Sequence, residues 1–167
     1  MLVKFIEDNS SDPFFLYLSY NAPHTPLQAT AIDLERNNHI EVEKRRTYAA
    51  MVSSMDDGIG LILDKLEEKK ITDNTIVIFF SDNGGVEWYN FSDNGILRGI
   101  KGDFYEGGIR VPFTMQWPSK IKPGTIYDKP IIALDVFATV ASAASAEKYI
   151  RNDIDGVDIL PYITGEK

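Results

Sequence analysis

Two apolar runs stand out in the hydrophobic pattern of the chain, and a long helical pattern lies between them. Phe14–Tyr20 (FFLYLSY) and Thr75–Phe80 (TIVIFF) are apolar along almost their whole length. Such runs predict strands that are buried on both faces of a parallel sheet. Residues 41–69 place apolar side chains at helical spacing, from Tyr48 to Leu66. A strand, a long helix and a second strand form a β-α-β unit, which implies parallel pairing.

Three weaker patterns complete the predicted fold. Residues 1–8 carry one apolar face and predict the end of a helix. The segment Val111–Trp117 predicts a third strand, which Pro112 weakens. Leu134–Ala146 predicts a helix rich in small residues, with three side chains that face inward, namely Val136, Phe137 and Val140. We therefore predict an α/β fold in which a mostly parallel sheet is flanked by helices.

Two irregular features of the pattern point to special roles. Gly58 and Gly60 lie inside the long helix and cost about 1 kcal/mol each relative to alanine. We expect them to allow close packing against the sheet. Residues 86–110 lose the regular pattern, and loops of this length are usually functional or mobile. This stretch holds three aromatic candidates for a sugar or aryl platform, Trp88, Tyr89 and Phe91.

Composition narrows the class of protein without changing this picture. The chain has 167 residues and a hydrophobic fraction of 44%, which is enough for one globular domain with a core. Its net charge of −8 argues against a nucleic-acid partner, because phosphate binding needs clustered Lys and Arg. No apolar run approaches the roughly 18 residues of a membrane span. The absence of cysteine excludes disulfides, thiolate metal sites and a thiol nucleophile.

Candidate chemistry gathers where the two apolar runs end. Asp82 and Asn83 follow the second run, and His24 follows the first run between two prolines. If the two strands are parallel neighbours, their carboxyl ends lie on one edge of the sheet and these side chains converge. Lys101 in the long loop adds an ammonium group. Such a set suits an anionic substrate and a hard cation with oxygen ligands, calcium or magnesium.

Each candidate residue also has an ordinary structural interpretation. The segment 82–85 (DNGG) is a common turn sequence. A histidine in a loop, such as His24, is often only a structural hydrogen-bonding residue, and a lone lysine such as Lys101 is often only solvated. We interpret Glu106 and Arg110 as an ion pair that braces the loop rather than as catalytic groups. The residues alone therefore predict an α/β domain with a candidate site for an oxyanion and a hard metal.

Three stretches of the chain stand together as a pattern: residues 21–27 (NAPHTPL), 80–85 (FSDNGG) and 97–112, which contains LRGIKG and YEGGIRVP. In this order and at these distances they resemble the type I sulfatases, the formylglycine-dependent enzymes of the alkaline-phosphatase-like superfamily. Residues 134–139 (LDVFAT) and 155–161 (DGVDILP) are also similar to that family. The LRGxK and EGGIRVP forms look closest to the arylsulfatase A and N-acetylgalactosamine-6-sulfatase branch.

The resemblance implies a role for each candidate residue. Asp82 and Asn83 would be metal ligands, with calcium the usual ion and magnesium less expected. His24 would contact the sulfate and donate a proton to the leaving alcohol, while Lys101 would bind sulfate oxygens. These roles make chemical sense, because protonation avoids expulsion of an alkoxide and positive groups hold the charged oxygens. The implied function is hydrolysis of a sulfate ester to an alcohol and inorganic sulfate.

The sequence also departs from the family pattern. The family's nucleophile is a formylglycine made from the Cys or Ser of a C/S-x-P-x-R motif, and this motif is missing here. The N-terminal aspartate pair and the upstream Lys-x-His of the family are missing too. We therefore expect residues 1–167 to be an internal portion of a sulfatase catalytic domain, without its nucleophile-bearing part and its C-terminal subdomain. Such a portion carries half of the active site and is expected to be inactive alone.

Two other functions stay open at this point. One is a phosphodiesterase or phosphonate monoester hydrolase of the same superfamily. This function is less favoured, because those enzymes use two metals and more histidine ligands, whereas this chain has two histidines. The other is a non-catalytic remnant domain. The expected partner is a small-molecule or glycan sulfate ester, and the resemblance implies a periplasmic or secreted location. Because an incomplete sheet leaves apolar edges exposed, we predict marginal stability or self-association of this chain alone.

Overall fold

The chain forms two units, Met1–Thr114 and Met115–Lys167, in a computed structural model that describes residues 2–151 and 153–167. No helix in these described residues combines the length and apolar character that crossing a membrane requires. Two 3-10 turns accompany the regular elements, at Thr72–Asn74 and Glu147–Tyr149. The helices and strands are, in chain order, α1 (Leu2–Asn9), α2 (Ala31–Arg36), α3 (Glu43–Glu68), β1 (Val77–Phe80), α4 (Glu87–Asn90), α5 (Glu106–Ile109), β2 (Phe113–Gln116), α6 (Ala133–Ala143) and α7 (Leu160–Ile163).

Helix α3 carries the core of the first unit. Its helical spacing of apolar side chains leads to the burial of Ala50, Met51 and Leu66. Helix α1 packs against α3 and buries Ile6 completely. The long helix and the N-terminal helix that the sequence predicts are thus confirmed.

The two glycines inside α3 differ in their surroundings. A Cβ atom added to Gly58 would lie 2.7 Å from the hydroxyl of Tyr20, so this glycine allows the first apolar run to approach the helix closely. A Cβ atom added to Gly60 would meet nothing within 4 Å. Gly58 therefore packs closely, but against Tyr20 of a segment outside the sheet, so packing against the sheet is not confirmed. The prediction is wrong for Gly60, which faces open space.

Strands β1 and β2 form a two-stranded antiparallel sheet. The rings of Phe80 and Phe113 lie 6.0 Å apart across it, and Ser81 N donates to Pro112 O at 3.2 Å just beyond the strand. Both strands were predicted from the sequence. The predicted burial of β1 on both faces is wrong within the described residues, because all four of its residues are only half-buried. A strand becomes fully buried only when other layers cover both faces of its sheet.

The first apolar run forms no helix or strand and pairs with no strand in the part of the chain that the structure describes. Its side chains alternate, with Phe15 70% and Tyr17 74% exposed while Phe14 and Leu16 are half-buried. The ring of Phe14 meets that of Phe5 edge to face, with centroids 5.8 Å apart. The predicted mostly parallel sheet is therefore not confirmed. An apolar run favours an extended backbone, whereas the tertiary structure decides which neighbour supplies the hydrogen bonds.

The second unit is held together by polar side chains of α6. Asp135 is buried and accepts hydrogen bonds from the backbone N–H groups of Ile132 at 2.8 Å and Val157 at 2.9 Å. Thr139 is fully buried, and its hydroxyl accepts from Ile159 N at 3.1 Å. These bonds give the LDVFAT and DGVDILP stretches a structural role, because the first stretch satisfies backbone donors of the second.

Helix α6 confirms the prediction made for residues 134–146, although its buried face differs from the expected one. Val136 and Val140 are half-buried, but Phe137 is 59% exposed, so its predicted inward orientation is wrong. The buried face carries Ala138 and the polar acceptors described above. Hydrophobic spacing missed this face because its hydrogen bonds lie on side chains that a hydropathy pattern counts as polar or neutral.

Candidate active site

The polar residues that follow β1 form a tight turn, here called the strand-end turn (residues 81–85). The hydroxyl of Ser81 donates to the carbonyl of Asn83 at 2.9 Å and closes the turn locally. Asn83 Nδ2 donates to Asp82 Oδ2 at 2.5 Å, so the two candidate metal ligands contact each other. Asp82 is exposed and Asn83 is half-buried. The turn therefore presents a carboxylate to solvent with an amide at its side.

Lys101 lies in a second turn, here called the lysine loop (residues 97–103). Asp103 N donates to Ile100 O at 2.9 Å, and the Asp103 carboxylate accepts from Ile100 N at 3.0 Å. Gly102 has a φ of +96°, a conformation that favours glycine. The backbone and side chain of Asp103 thus close the turn on which Lys101 is exposed.

Glycine-to-glycine packing joins the lysine loop to the strand-end turn. Gly84 N donates to Gly108 O at 2.9 Å, and Gly107 N donates to Arg98 O at 2.7 Å. A Cβ atom on Gly84 would lie 1.7 Å from Gly107 O, and one on Gly107 would lie 2.0 Å from Gly99 O. Only residues without a side chain allow the three backbones to approach this closely. The YEGG and LRG motifs therefore serve as a packed base for the two turns.

Asn94 adds a side-chain link between the same two segments. Its Oδ1 accepts from Gly85 N at 3.0 Å, and its Nδ2 donates to Gly85 O at 3.0 Å and to Gly99 O at 3.1 Å. No motif or periodicity of the sequence marks Asn94. In the sequence it is one of several Asn, Asp and Gly residues of an irregular stretch, and nothing local distinguishes it from a turn residue.

His24 is exposed in a turn of its own, between the cis peptide bonds Ala22–Pro23 and Thr25–Pro26. Its backbone N donates to Asn21 O at 2.8 Å, and its Nδ1 lies 2.8 Å from Thr25 O. A carbonyl oxygen can only accept, so Nδ1 is the donor in this contact. The turn therefore orients the ring and leaves Nε2 as the atom available for proton exchange.

The structure brings some of the predicted site residues together and leaves others apart. Asp82 contacts Asn83, and the backbone contacts above join their turn to the loop of Lys101. Within residues 2–151 and 153–167, no hydrogen bond links His24 or Lys101 to the Asp82–Asn83 pair. The convergence of all four residues therefore stays a prediction.

The predicted brace of the long loop is present. Arg110 Nη1 lies 3.2 Å from Glu106 Oε1 across one turn of α5, and both side chains are exposed. An exposed pair of this kind contributes little to stability, about 0–1 kcal/mol. The interpretation of Glu106 and Arg110 as an ion pair is confirmed, while the glycines of the same helix make the closer contacts with the site.

The aromatic candidates divide into two kinds. Trp88 and Tyr89 on α4 are 75% and 57% exposed, and their rings meet edge to face at 5.8 Å. Phe91 instead contacts side chains of α3. The Lys44 ammonium lies 5.4 Å from its ring centroid, and Arg45 donates to its carbonyl at 2.5 Å. Only the first two rings are therefore exposed for a ligand.

The strand-end turn fits a hard cation in its chemistry but supplies only part of a coordination shell. Asp82 and Asn83 carry oxygen donors of the kind that calcium and magnesium bind. No group of three or more His, Cys, Asp or Glu side chains that could hold a metal occurs among the described residues. A cation at this turn would need further oxygen ligands beyond these two side chains.

Comparisons of the sequence with known proteins give a consistent result. The family model described as Sulfatase matches residues 1–146. The chain is 38% identical over 156 residues to the uncharacterized sulfatase YdeN of Escherichia coli K12, covering 93% of this chain and 28% of that protein. It is 35% identical over 170 residues to the steryl-sulfatase of Homo sapiens, covering 98% of this chain and 28% of that protein. The chain thus spans less than a third of the length of these relatives.

A solved structure agrees with this result. The crystal structure of Ps i-CgsB in complex with k-i-k-neocarrahexaose matches with a TM-score of 0.92 at 38% identity, covering 99% of this chain and 37% of that chain. The backbone match thus extends over nearly the whole of this chain and is accompanied by substantial sequence identity.

Proposed function

The chain belongs to the sulfatase family, and from this premise we propose that the complete protein hydrolyses a sulfate ester to an alcohol and inorganic sulfate. One observation carries the proposal beyond family membership. The strand-end turn and the lysine loop are held together by backbone hydrogen bonds and glycine packing. The backbone segments that carry Asp82, Asn83 and Lys101 are therefore joined, which supports a shared site for their side chains. Oxygen donors for a cation beside a cationic side chain suit an anionic ester.

Asp82 and Asn83 are the residues that would hold a calcium ion in this proposal, with magnesium as the less favoured ion. Their oxygen donors and their adjacent positions in the strand-end turn support the assignment. Calcium takes about six to eight oxygens, so other ligands must complete the shell. When bound, such an ion supplies positive charge that neutralises the sulfate oxygens.

His24 is the proposed proton donor, and Lys101 the proposed sulfate ligand. The Nδ1–H of His24 is held by Thr25 O, so in the imidazolium form Nε2–H is the group that gives its proton to the ester oxygen. The bond from sulfur to that oxygen breaks as the nucleophile, which none of the assigned residues supplies, bonds to sulfur. The alcohol then leaves neutral. Lys101 donates hydrogen bonds from Nζ to the sulfate oxygens and stabilises their charge.

The nucleophile lies outside these assignments. The chain has no cysteine, and none of its serines begins a S-x-P-x-R motif, so no residue here can be assigned as the precursor of formylglycine. The roles proposed for this chain are binding of the cation, binding of the sulfate and donation of a proton. The finer placement in the arylsulfatase A and N-acetylgalactosamine-6-sulfatase branch stays a prediction.

A sulfated saccharide is the substrate class that the exposed aromatic pair favours. Trp88 and Tyr89 begin three residues after the strand-end turn and present two mostly exposed rings. Aromatic faces of this kind bind the apolar faces of sugar rings. The related protein Ps i-CgsB has been solved in complex with k-i-k-neocarrahexaose. This supports a sulfated glycan over a small aryl sulfate as the natural substrate.

The test is a comparison of sulfate and phosphate esters with the complete protein. We expect turnover of 4-nitrophenyl sulfate well above that of 4-nitrophenyl phosphate, and a loss of about 100-fold or more in kcat/KM for Lys101→Ala. Lys120→Ala is the matched control, because Lys120 is also exposed and lies in a surface turn of the other unit. Preferred turnover of the phosphate ester would favour the phosphodiesterase alternative.

Calcium titration separates the enzyme from a non-catalytic remnant. Asp82→Ala in the complete protein should weaken calcium binding, measured by isothermal titration calorimetry, because it removes the one exposed carboxylate of the strand-end turn. Asp93→Ala is the control, since Asp93 is an exposed aspartate of the same long loop. No heat of calcium binding in the complete protein, together with no effect of Asp82→Ala on turnover, would identify the site as vestigial.

The parallel sheet is part of the same proposal. The alternating exposure of Phe14–Tyr20 and the exposed rings of Phe15 and Tyr17 support an additional strand and layer in the complete protein. Backbone amides of this run should then be strongly protected from hydrogen exchange there. Self-association of the isolated chain and a periplasmic or secreted location stay predictions, and light scattering of the chain alone checks the first.

A further inference from the structure

We propose that Asn94 is a positioning residue that sets the distance between the cation-binding turn and the sulfate-binding lysine. This inference rests on the proposed function and extends it to a residue outside the family motifs named above. It starts from the bonding of one side chain. The amide of Asn94 uses its oxygen and its nitrogen on two different segments, Gly85 and Gly99.

Both N–H donors of the Asn94 side chain are used in hydrogen bonds. Its two N–H groups go to Gly85 O and Gly99 O, while its oxygen accepts from Gly85 N. Because it both donates to and accepts from Gly85, the side chain pairs with that residue as a neighbouring strand would. The third hydrogen bond, from Nδ2 to Gly99 O, links the same side chain to the lysine loop.

The two anchor points lie at equal distances in sequence from the candidate functional side chains. Gly85 is two positions after Asn83, and Gly99 is two positions before Lys101. A movement of either anchor is therefore transmitted over a very short length of chain to a group that would touch the cation or the sulfate. Asn94 itself touches neither group in this scheme, so its role is positional.

The segment that carries Asn94 is anchored on its other side. Asn94 N donates to Glu87 Oε1 at 3.1 Å, and Arg45 of α3 donates to Phe91 O at 2.5 Å. Ser92 is buried against Gly85, where an added Cβ atom would lie 1.9 Å from the Ser92 hydroxyl. The side chain thus reaches both turns from a fixed support on the long helix.

Other residues cannot reproduce this arrangement. Aspartate has the same shape, but its carboxylate would face the carbonyl oxygens of Gly85 and Gly99 without any hydrogen to donate. Alanine would leave the same backbone groups without their partner. Either replacement should loosen the lysine loop from the strand-end turn, and a displacement of about 1 Å at a catalytic group can lower the rate about a hundredfold.

A double-mutant cycle in the complete protein tests the coupling. Asn94→Ala should lower kcat/KM for an aryl sulfate about a hundredfold when Lys101 is present. In the Lys101→Ala background the same change should cost at least about threefold less, because the lysine, one of the two groups that Asn94 positions, is gone. Equal losses in both backgrounds would show that Asn94 stabilises the protein generally, and would overturn the proposal. Asn74→Asp is the control, an exposed asparagine whose side chain makes no hydrogen bond within the described residues.

Hydrogen exchange followed by mass spectrometry tests the same inference without activity. In Asn94→Ala, peptides that cover the strand-end turn and the lysine loop should both exchange faster, while peptides of α3 stay unchanged. Unchanged exchange in either segment would overturn the positioning role, even if the protein hydrolyses no sulfate ester. Conversely, an inactive wild type with the expected exchange pattern would reject the proposed function alone. If Asn94→Ala does not fold, Asn94→Asp carries both tests.

Discussion

Replacing Gly84 with alanine tests whether backbone packing at the strand-end turn controls the candidate site. Gly84 does not have a positive φ, so the change introduces no backbone strain of the left-handed kind and acts only through its new methyl group. That Cβ atom would lie 1.7 Å from Gly107 O and 3.1 Å from Gly108 Cα. Both contacts are with backbone, which cannot rotate away as a side chain would.

The size of the effect follows from these distances. Real Cβ atoms essentially never come closer than 3.0 Å to such a neighbour, so a contact at 1.7 Å forces the two backbones apart by about 1.3 Å. The bond from Gly84 N to Gly108 O, now 2.9 Å long, would break. Its loss costs about 0.5–1.5 kcal/mol, and the overpacking costs about 1–3 kcal/mol. We therefore expect the free energy of unfolding to fall by about 1.5–4.5 kcal/mol.

Activity should fall with stability, because the displaced backbone lies next to Asn83. A shift of more than 1 Å predicts a loss of about a hundredfold in kcat/KM for an aryl sulfate. The assay combines chemical denaturation with steady-state kinetics of the complete protein, at a temperature where the variant is folded.

The matched control is Gly60→Ala, where the same methyl group meets nothing within 4 Å. Because Gly60 lies inside α3, alanine should stabilise the helix by up to about 1 kcal/mol and leave kcat/KM unchanged. The reasoning is refuted if Gly84→Ala changes stability by less than about 0.5 kcal/mol and keeps kcat/KM within about threefold of the wild type.

Three further predictions concern packing, buried polar groups and pH. Gly58→Ala should change stability by less than about 0.5 kcal/mol, because the helix gain is offset by a 2.7 Å contact with the movable hydroxyl of Tyr20; a loss above about 2 kcal/mol in denaturation would contradict this. Asp135→Ala should cost about 1–3 kcal/mol, since two backbone N–H groups lose their acceptor, and an unchanged denaturation midpoint would disprove that role. Burial raises the pKa of Tyr48 above its ordinary value of 10.0, outweighing the opposing Arg45 charge. The contribution of neutral Tyr48 to the free energy of unfolding is therefore fully present below about pH 10, and it is lost as pH rises through the higher pKa of the folded protein. The wild type should therefore lose more stability between pH 9 and pH 11 than the Tyr48→Phe variant, as measured by unfolding curves at the two pH values. An equal loss in both proteins would exclude a contribution of Tyr48 to the pH dependence.

Local patterns were a good guide wherever one element could be judged by itself. The spacing of apolar residues predicted α1 and α3, and the apolar run before Asp82 predicted β1. These predictions succeed because helical periodicity and β-branched runs express preferences of the chain over one or two turns or a few residues. The ion pair of Glu106 and Arg110 is also local, since its members are four residues apart in the sequence, although the hydrophobic pattern did not predict the short helix α5 that brings them together.

Predictions that needed knowledge of distant neighbours fared less well. The parallel pairing of Phe14–Tyr20 with β1 is not confirmed, because an extended segment does not specify its partner. The inward orientation of Phe137 was wrong, because α6 buries its small and polar face. The link made by Asn94 was missed entirely, since its partners are separated from it by five and nine positions in an irregular loop.

By itself, the sequence determined the family, the residue types of the candidate site and the positions of the main helices and strands. It did so because side-chain chemistry, motif order and short-range periodicity are all properties of the linear chain. Only the tertiary structure decided how the strand-end turn meets the lysine loop. That contact depends on glycine backbones that approach so closely that a Cβ atom would not fit between them. It also depends on one asparagine that bridges the two turns. Such contacts depend on where distant backbones lie, and no local pattern encodes that.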